Sequence, residues 1–187
     1  FDLIAIGAGT SKGRADFTAE IVGELGEVSV HGVAYHPGHP VLLGMIAGSA
    51  VIGIPGYPVA TWLAIMQFVQ PLIERYLGIP HREPPTVRGS LARRINSALG
   101  YREFVRVSLE RTERGYLVQP LSGGSSRLSS LIRADGIVEV PEELEGYNKG
   151  EEVEVKLLRS LPSVGGYNRL DLEDGTLGGQ NEHPASR

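Results

Sequence analysis

The chain is 187 residues long, enough for one large domain or two small ones with a real apolar core. With 41% hydrophobic and 21% charged residues it has the composition of a soluble globular protein, and a formal net charge of −4 with no basic stripe argues against a nucleic-acid partner. Cysteine is absent, which excludes disulfides, thiolate catalysis and cysteine-based zinc sites and suits a reducing cytoplasm.

The chain opens on Phe1-Asp2-Leu3-Ile4-Ala5-Ile6, without an initiator Met or a basic leader. This reads as the middle of a strand, and a truncated chain is expected. Leu3–Ile6 runs into a Gly/Ser loop, the pattern of a buried parallel strand, and a helix is predicted from Asp16 to Leu25, with Gly26 stopping it. Alternation from Val28 to Tyr35 predicts a strand. Val41–Ile46 and Ala50–Ile54 predict two more, around a turn at Gly48-Ser49. A long helix follows from Pro58 to about Leu77, with Pro71 expected to kink it. Its most apolar stretch, Val59–Val69, is broken at Gln67 and falls short of the ~18 apolar residues of a membrane span.

Strand, helix, strands and helix are α/β grammar, so residues 1–78 are expected to form part of a layered sheet-and-helix domain. Residues 79–85 read as a stiff linker, Ile79-Pro80-His81-Arg82-Glu83-Pro84-Pro85. Beyond it, Thr86–Leu91, Glu103–Arg111, Gly115–Leu121, Gly136–Val140 and Glu151–Leu158 predict a small β-barrel or sandwich over residues 86–160. Residues 161–187 lose all periodicity, and a disordered tail or the truncated start of a further domain is expected there.

Three segments carry possible chemistry. The loop Gly9-Thr10-Ser11-Lys12-Gly13-Arg14-Ala15-Asp16 leaves a strand and enters a helix, a setting for a phosphate or other oxyanion, although the same residues suit an ordinary helix cap. His36-Pro37-Gly38-His39-Pro40 and Ile54-Pro55-Gly56-Tyr57-Pro58 are Pro-Gly turns leaving apolar strands, each a rigid, pre-shaped wall. His36 and His39 could hold an anion when protonated or a metal when neutral. Two such turns at the ends of consecutive strands fall where open α/β sheets collect ligands.

Taken in order, these segments resemble the molybdopterin molybdotransferases, the family of MoeA and the gephyrin E-domain. Its signature runs Gly-Gly-x-Ser-x-Gly-x-x-Asp, Lys-Pro-Gly-Lys-Pro and Leu-Pro-Gly-Asn-Pro. The later Gly100-Tyr101-Arg102-Glu103-Phe104-Val105-Arg106 is similar to the Gly-Arg-x-Asp/Glu-Phe-x-Arg of the family's C-terminal barrel. Ser125-Ser126-Arg127-Leu128-Ser129-Ser130-Leu131 and Ala134-Asp135-Gly136 resemble its Gly-Ser-x-x-x-Ser-Ser and Ala-Asn-Gly segments. The departures are His36 and His39 for two lysines, Tyr57 for Asn, and Tyr101 for the first Arg of the barrel motif. The Pro-Gly-Tyr-Pro variant resembles a subgroup fused to a periplasmic-binding-like domain.

The resemblance implies insertion of molybdate or tungstate into adenylyl-molybdopterin with release of AMP, in a cytoplasmic homodimer. It assigns Asp16 a catalytic role through Mg²⁺. Gly9, Thr10, Ser11 and Gly13, with Pro55, Gly56 and Pro58, are implied to contact the pterin cofactor. His36, His39, Arg106 and Ser129 or Ser130 are implied at the oxyanion. Two other readings stay open: a non-catalytic pterin- or oxyanion-binding or scaffolding module, and an enzyme of the molybdopterin adenylyltransferase kind.

Overall fold

The computed structural model describes residues 1–7, 17–123 and 126–161. The Gly9–Asp16 loop and the tail lie outside the described residues.

The first unit is a four-stranded mixed sheet. Strand β1 (Leu3–Gly7) lies parallel to β5 (Ser49–Ile54), and β4 (Leu42–Ile46) and β2 (Glu27–His31) follow antiparallel in the order β1-β5-β4-β2. Strand β5 is almost wholly buried because both its faces are covered. Val51 packs with Leu42 and with Val22 of helix α1 (Thr18–Leu25), while Ile52 and Ile54 face Leu63 and Ala64 of helix α2 (Pro58–Ala64). Period-two alternation on a two-sided sheet thus yields three layers. Ala47 and Gly48, both at positive φ, make the β4–β5 turn, as a tight hairpin requires. Gly26 does end α1, through close approach rather than left-handed backbone: a Cβ there would lie 2.0 Å from the Met45 carbonyl oxygen.

Helix α2 continues through a π-helical segment (Ile65–Val69) into α3 (Gln70–Tyr76). The wide turn sits just before Pro71. A proline ring clashes with the carbonyl four residues back and donates no hydrogen bond, and a π turn moves that carbonyl aside while the Gln70 N–H bonds the Ile65 carbonyl. The expected disturbance is therefore a local widening.

Two sequence expectations are corrected: β1 is parallel as expected but lies at the sheet edge with no buried residue, and one predicted strand divides. The strand over Val28–Tyr35 is two strands, β2 and a short β3 (Tyr35–His36), separated at Gly32, whose φ of 94° breaks the pleat. β3 leaves the first sheet and pairs parallel with the second, Tyr35 opposite Arg102 and His36 opposite Glu103.

The second unit is a closed barrel. Strands β6 (Thr86–Leu91), β8 (Arg102–Thr112), β9 (Gly115–Pro120), β10 (Gly136–Val140) and β12 (Glu152–Leu157) pair in the cycle β8-β9-β6-β12-β10-β8, with β3 added along β8. Its interior is aliphatic, with Leu91, Val107, Val118, Val138, Val140, Val153 and Val155 all at most 4% exposed. The short pair β7 (Ile95–Asn96) and β11 (Gly146–Tyr147) and the one-and-a-half-turn helix α4 (Leu128–Arg133) were not expected from periodicity. Each is too brief to show a period.

The units share a core. Phe104 of β8 and Ile137 of β10 point outward from the barrel and join Tyr35, Val41, Ile52, Ile54, Leu63 and Ala64. Tyr35 stacks on Phe68 at 6.0 Å and meets Phe104 edge-on at 5.7 Å, geometries favoured by the ring quadrupoles. No described helix is long and apolar enough to cross a membrane.

Candidate functional site

Strand β8 carries three neighbours. β10 covers one edge from Glu103 to Val107; on the other edge β3 covers Arg102 and Glu103, and β9 covers Val107 to Thr112. Between β3 and β9 this edge has no strand partner over Phe104–Arg106, apart from the Leu121 N–H, which donates to the Arg106 carbonyl at 2.8 Å. Prolines stand on both sides of the opening, Pro37 directly after β3 and Pro120 at the end of β9. A proline cannot donate to a ladder, and beyond Pro120 a single bond, from Leu121, continues along β8. A cleft of about 420 Å³ lies at this gap, lined by His36, Pro37, Arg94, Glu103, Arg106 and Gly123 among others.

Arg106 is the most unusual group in the cleft. Its side chain is 7% exposed. One guanidinium nitrogen, Nη2, donates to the Gly123 carbonyl, while Nε and Nη1 are buried without a partner. Burial pulls its pKa down and the neighbouring Glu103 pushes it back up; arginine stays charged under either influence. Two unpaired N–H groups on a buried cation cost free energy unless something accepts from them, and a tetrahedral oxyanion is the acceptor that guanidinium geometry suits. Arg94 adds a second positive charge at the mouth.

His36 and His39 stand on the turn that follows β3. Gly38, at φ 117° and buried, lets this turn lie against α2: a Cβ there would meet the Tyr35 ring at 2.8 Å and the Ala60 backbone at 3.5 Å. The two Pro-Gly turns are thus in contact through the first turn of α2. His36 packs on Tyr101 with ring centroids 4.5 Å apart, and His39 meets Tyr101 at 6.0 Å and His36 at 6.4 Å. Three of the four departures from the family pattern therefore form one aromatic cluster, replacing flexible cations by packed rings. Tyr57, the fourth, is 61% exposed and stands apart.

His39 Nδ1 lies 2.7 Å from the Val33 carbonyl, so it carries a proton and donates; in the neutral ring Nε2 is then an acceptor. Burial, and after it the charge of His39, lowers the His36 pKa below its ordinary value. Neutral His36 at pH 7 offers an anion one N–H rather than a charge, and the positive charge of the cleft rests on Arg94 and Arg106.

Ser129 and Ser130 sit on α4 in an adjoining cleft of about 310 Å³, which shares Pro120 and Leu121 with the first. Arg93, Ser122, Arg127 and Arg133 complete it. Arg93 Nη2 donates to the Pro120 carbonyl and to Ser122 Oγ at 3.0 Å. Ser130 is buried and its hydroxyl donates to the Arg127 carbonyl at 2.6 Å, whereas Ser129 is exposed. Pro55 and Pro58 flank the start of α2, where Thr61 Oγ1 lies 2.5 Å from the Pro55 carbonyl and 3.0 Å from that of Tyr57. Neither cleft is lined by Pro55, Gly56 or Pro58.

The structure thus joins His36 and Arg106 in one cleft, sets Ser129 and Ser130 beside it, and leaves the Pro55–Pro58 turn behind the His36 turn. Arg93, Arg94 and Glu103 were missed as site residues, because an Arg pair after a strand reads as a solvated turn and the exposure of Glu103 depends on the gap. Among the described residues no group of three or more His, Asp or Glu could hold a metal ion.

An α/β layer and a closed five-stranded barrel share one core, and a cleft lined by Arg94, Glu103 and Arg106 opens beside their junction. Residues 1–75 match the probable molybdopterin binding domain family, and residues 88–158 match the MoeA C-terminal region (domain IV). The chain belongs to the molybdopterin molybdotransferase family and corresponds to its C-terminal half. It is 41% identical over 160 residues to a putative molybdopterin biosynthesis protein of Methanocaldococcus jannaschii, covering 84% of this chain and 37% of that one. It is 28% identical to the molybdopterin molybdenumtransferase of Haemophilus influenzae, covering 86% of this chain and 40% of that one. The crystal structure of a MoeA molybdopterin biosynthesis protein from Pyrococcus horikoshii superposes with a TM-score of 0.68 at 39% identity, over 86% of this chain and 38% of that one. The chain therefore spans about two fifths of the length of these relatives.

Proposed function

We propose that this chain is the oxyanion-handling part of an enzyme of molybdenum cofactor biosynthesis, which exchanges the AMP of adenylyl-molybdopterin for molybdate or tungstate. The observation that carries the reading is Arg106, a buried guanidinium with two unpartnered donors at the floor of a basic cleft. The named activity of the relatives supports it.

In this proposal Arg106 and Arg94 attract the dianion, and Arg106 fixes its orientation through directional N–H donors. Neutral His36 supplies one further N–H, and Tyr101 holds that ring in place. Pro37 and Pro120 keep the opening rigid, so the donors stay aimed without reorganisation when charge shifts toward the sulfurs of the pterin. The basic cleft beside α4, with exposed Ser129, fits a second anionic group of the same substrate, and the Pro55–Pro58 turn supports the His36 turn from behind. The metal–sulfur chemistry belongs to the substrates.

Gly9, Thr10, Ser11 and Gly13 would hold the pterin's phosphates, and Asp16 would hold Mg²⁺, which neutralises phosphate charge. All five lie outside the described residues, and no step is routed through the ion. Assembly as a cytoplasmic homodimer is part of the proposal. The protein that carries this chain, supplied with adenylyl-molybdopterin and molybdate, is expected to release AMP in a molybdate-dependent way, which chromatography of the nucleotide measures. Release of AMP that does not depend on molybdate, or none at all with binding intact, would sink the transferase reading and leave a binding module.

A further inference from the structure

An anion cleft built for charge attraction alone would not contain a carboxylate, yet Glu103 lines this one together with Arg94 and Arg106. The position is fixed by the fold: Glu103 lies opposite His36 in the β3–β8 ladder and opposite Val140 in the β8–β10 ladder. The titratable and charged groups that line the cleft with it are Arg106 on its own strand, whose charge acts on it, Arg94 from the segment after β6, and His36 from β3, with His39 and Tyr101 beyond. β10 places uncharged Val140 opposite it, and the adjacent Arg102 is engaged with Glu142 at 3.1 Å. Among the described residues the Glu103 carboxylate accepts no hydrogen bond and makes no ion pair.

Two guanidiniums and one ionised carboxylate, with His36 neutral, leave a single net positive charge for a dianion. An oxo oxygen brought against an ionised carboxylate meets it lone pair to lone pair. With one proton between them the same contact becomes a short charge-assisted O–H···O⁻ bond. We propose that Glu103 is a specificity-determining residue, which makes oxyanion binding require one shared proton and thereby favours molybdate and tungstate over sulfate.

The chemistry follows from the basicity of the anions. Molybdate and tungstate oxygens accept a proton about as readily as an ordinary carboxylate, so either partner can carry it; sulfate is a far weaker base and leaves the whole cost to Glu103. Hydrogen phosphate brings a proton of its own and should bind better than sulfate. Burial already pushes the Glu103 carboxyl up from its ordinary range, with Arg106 partly opposing it, and a bound dianion pushes it further in the same direction. Affinity for molybdate therefore falls as pH rises above that raised value, because each bound anion takes up a proton.

This inference rests on the oxyanion reading of the cleft, and the experiment separates the two. Sodium molybdate and sodium sulfate are titrated calorimetrically into the chain at about pH 7.5, where a free carboxyl is ionised, in buffers of contrasting ionisation heat. The wild type is expected to take up close to one proton per molybdate and to bind sulfate at least about tenfold more weakly. In Glu103→Gln the proton uptake is expected to vanish and the sulfate penalty to shrink about tenfold. Glu103→Asp keeps a carboxylate and retains uptake, which preserves the test if the amide variant folds poorly. His36→Gln also retains uptake. Molybdate binding by the wild type without proton uptake overturns the proposal, as does unchanged uptake in Glu103→Gln. Loss of uptake in His36→Gln alone assigns the proton to the imidazole and overturns it too. No molybdate binding by the wild type removes the oxyanion reading itself, and this inference with it.

Discussion

At the scale of single residues, the site depends on a few positions whose chemistry their neighbours dictate. Gly38 is one: positive φ, burial, and the Tyr35 ring 2.8 Å from any added Cβ leave room for no other residue. Gly38→Ala is expected to cost about 1–3 kcal/mol by strain and overpacking and to loosen the His36 turn. Denaturant unfolding measures the first, and a variant as stable as the wild type would contradict the packing described. His36 is a second. Its lowered pKa means that the folded state binds fewer protons than the unfolded chain, so its contribution to stability is complete above the unfolded value of about 6.5 and is lost as pH falls through the depressed folded value. NMR titration of the anion-free chain should place the His36 imidazole below that ordinary value, and His36→Gln should flatten the acid-side loss. A His36 titrating above it would show that neither burial nor His39 governs the ring.

At the scale of elements, what could be read from the sequence and what could not divide along physical lines. The five barrel strands and the β4–β5 hairpin were legible because each alternates or runs apolar for five residues or more between turn residues. Strand β3 was not: at two residues it has no period, and it exists because Gly32 releases the chain toward β8. The cleft was hidden for the same reason, since it is a gap between two pairings of one long strand and only the registers reveal it. Pro37 and Pro120 bound that gap and were visible as letters, but the pairing of β3 with β8 was not. His36, His39 and Tyr101 were visible as three separate departures from a family pattern, and only the fold shows that they touch. Phe104 shows the energetic side of such element contacts. It projects from the barrel into the layer of Tyr35 and Leu63 at 6% exposure, and Phe104→Ala is expected to cost about 3–5 kcal/mol. A loss below about 1 kcal/mol would mean that the junction is not packed as described.

At the scale of the whole molecule, the shared core makes the two units one cooperative body. Trp62, the single tryptophan, sits on α2 against that core, while far-UV circular dichroism is dominated by the strands of both units. Unfolding followed by tryptophan fluorescence and by circular dichroism should therefore coincide. Two separated transitions would show that the units are held by the chain alone.

The central claim, that the gap in the barrel sheet is an oxyanion site organised by Arg106, is tested most directly by isothermal titration of molybdate into the wild type and into Arg106→Met. Methionine fills similar volume and leaves no buried donor unpaired, so this variant should fold with stability equal to or above that of the wild type. The account predicts that molybdate affinity falls by at least about thirtyfold, following the about 2–5 kcal/mol lost when one partner of a buried charged hydrogen bond is removed. A folded Arg106→Met chain that binds molybdate as tightly as the wild type would contradict it.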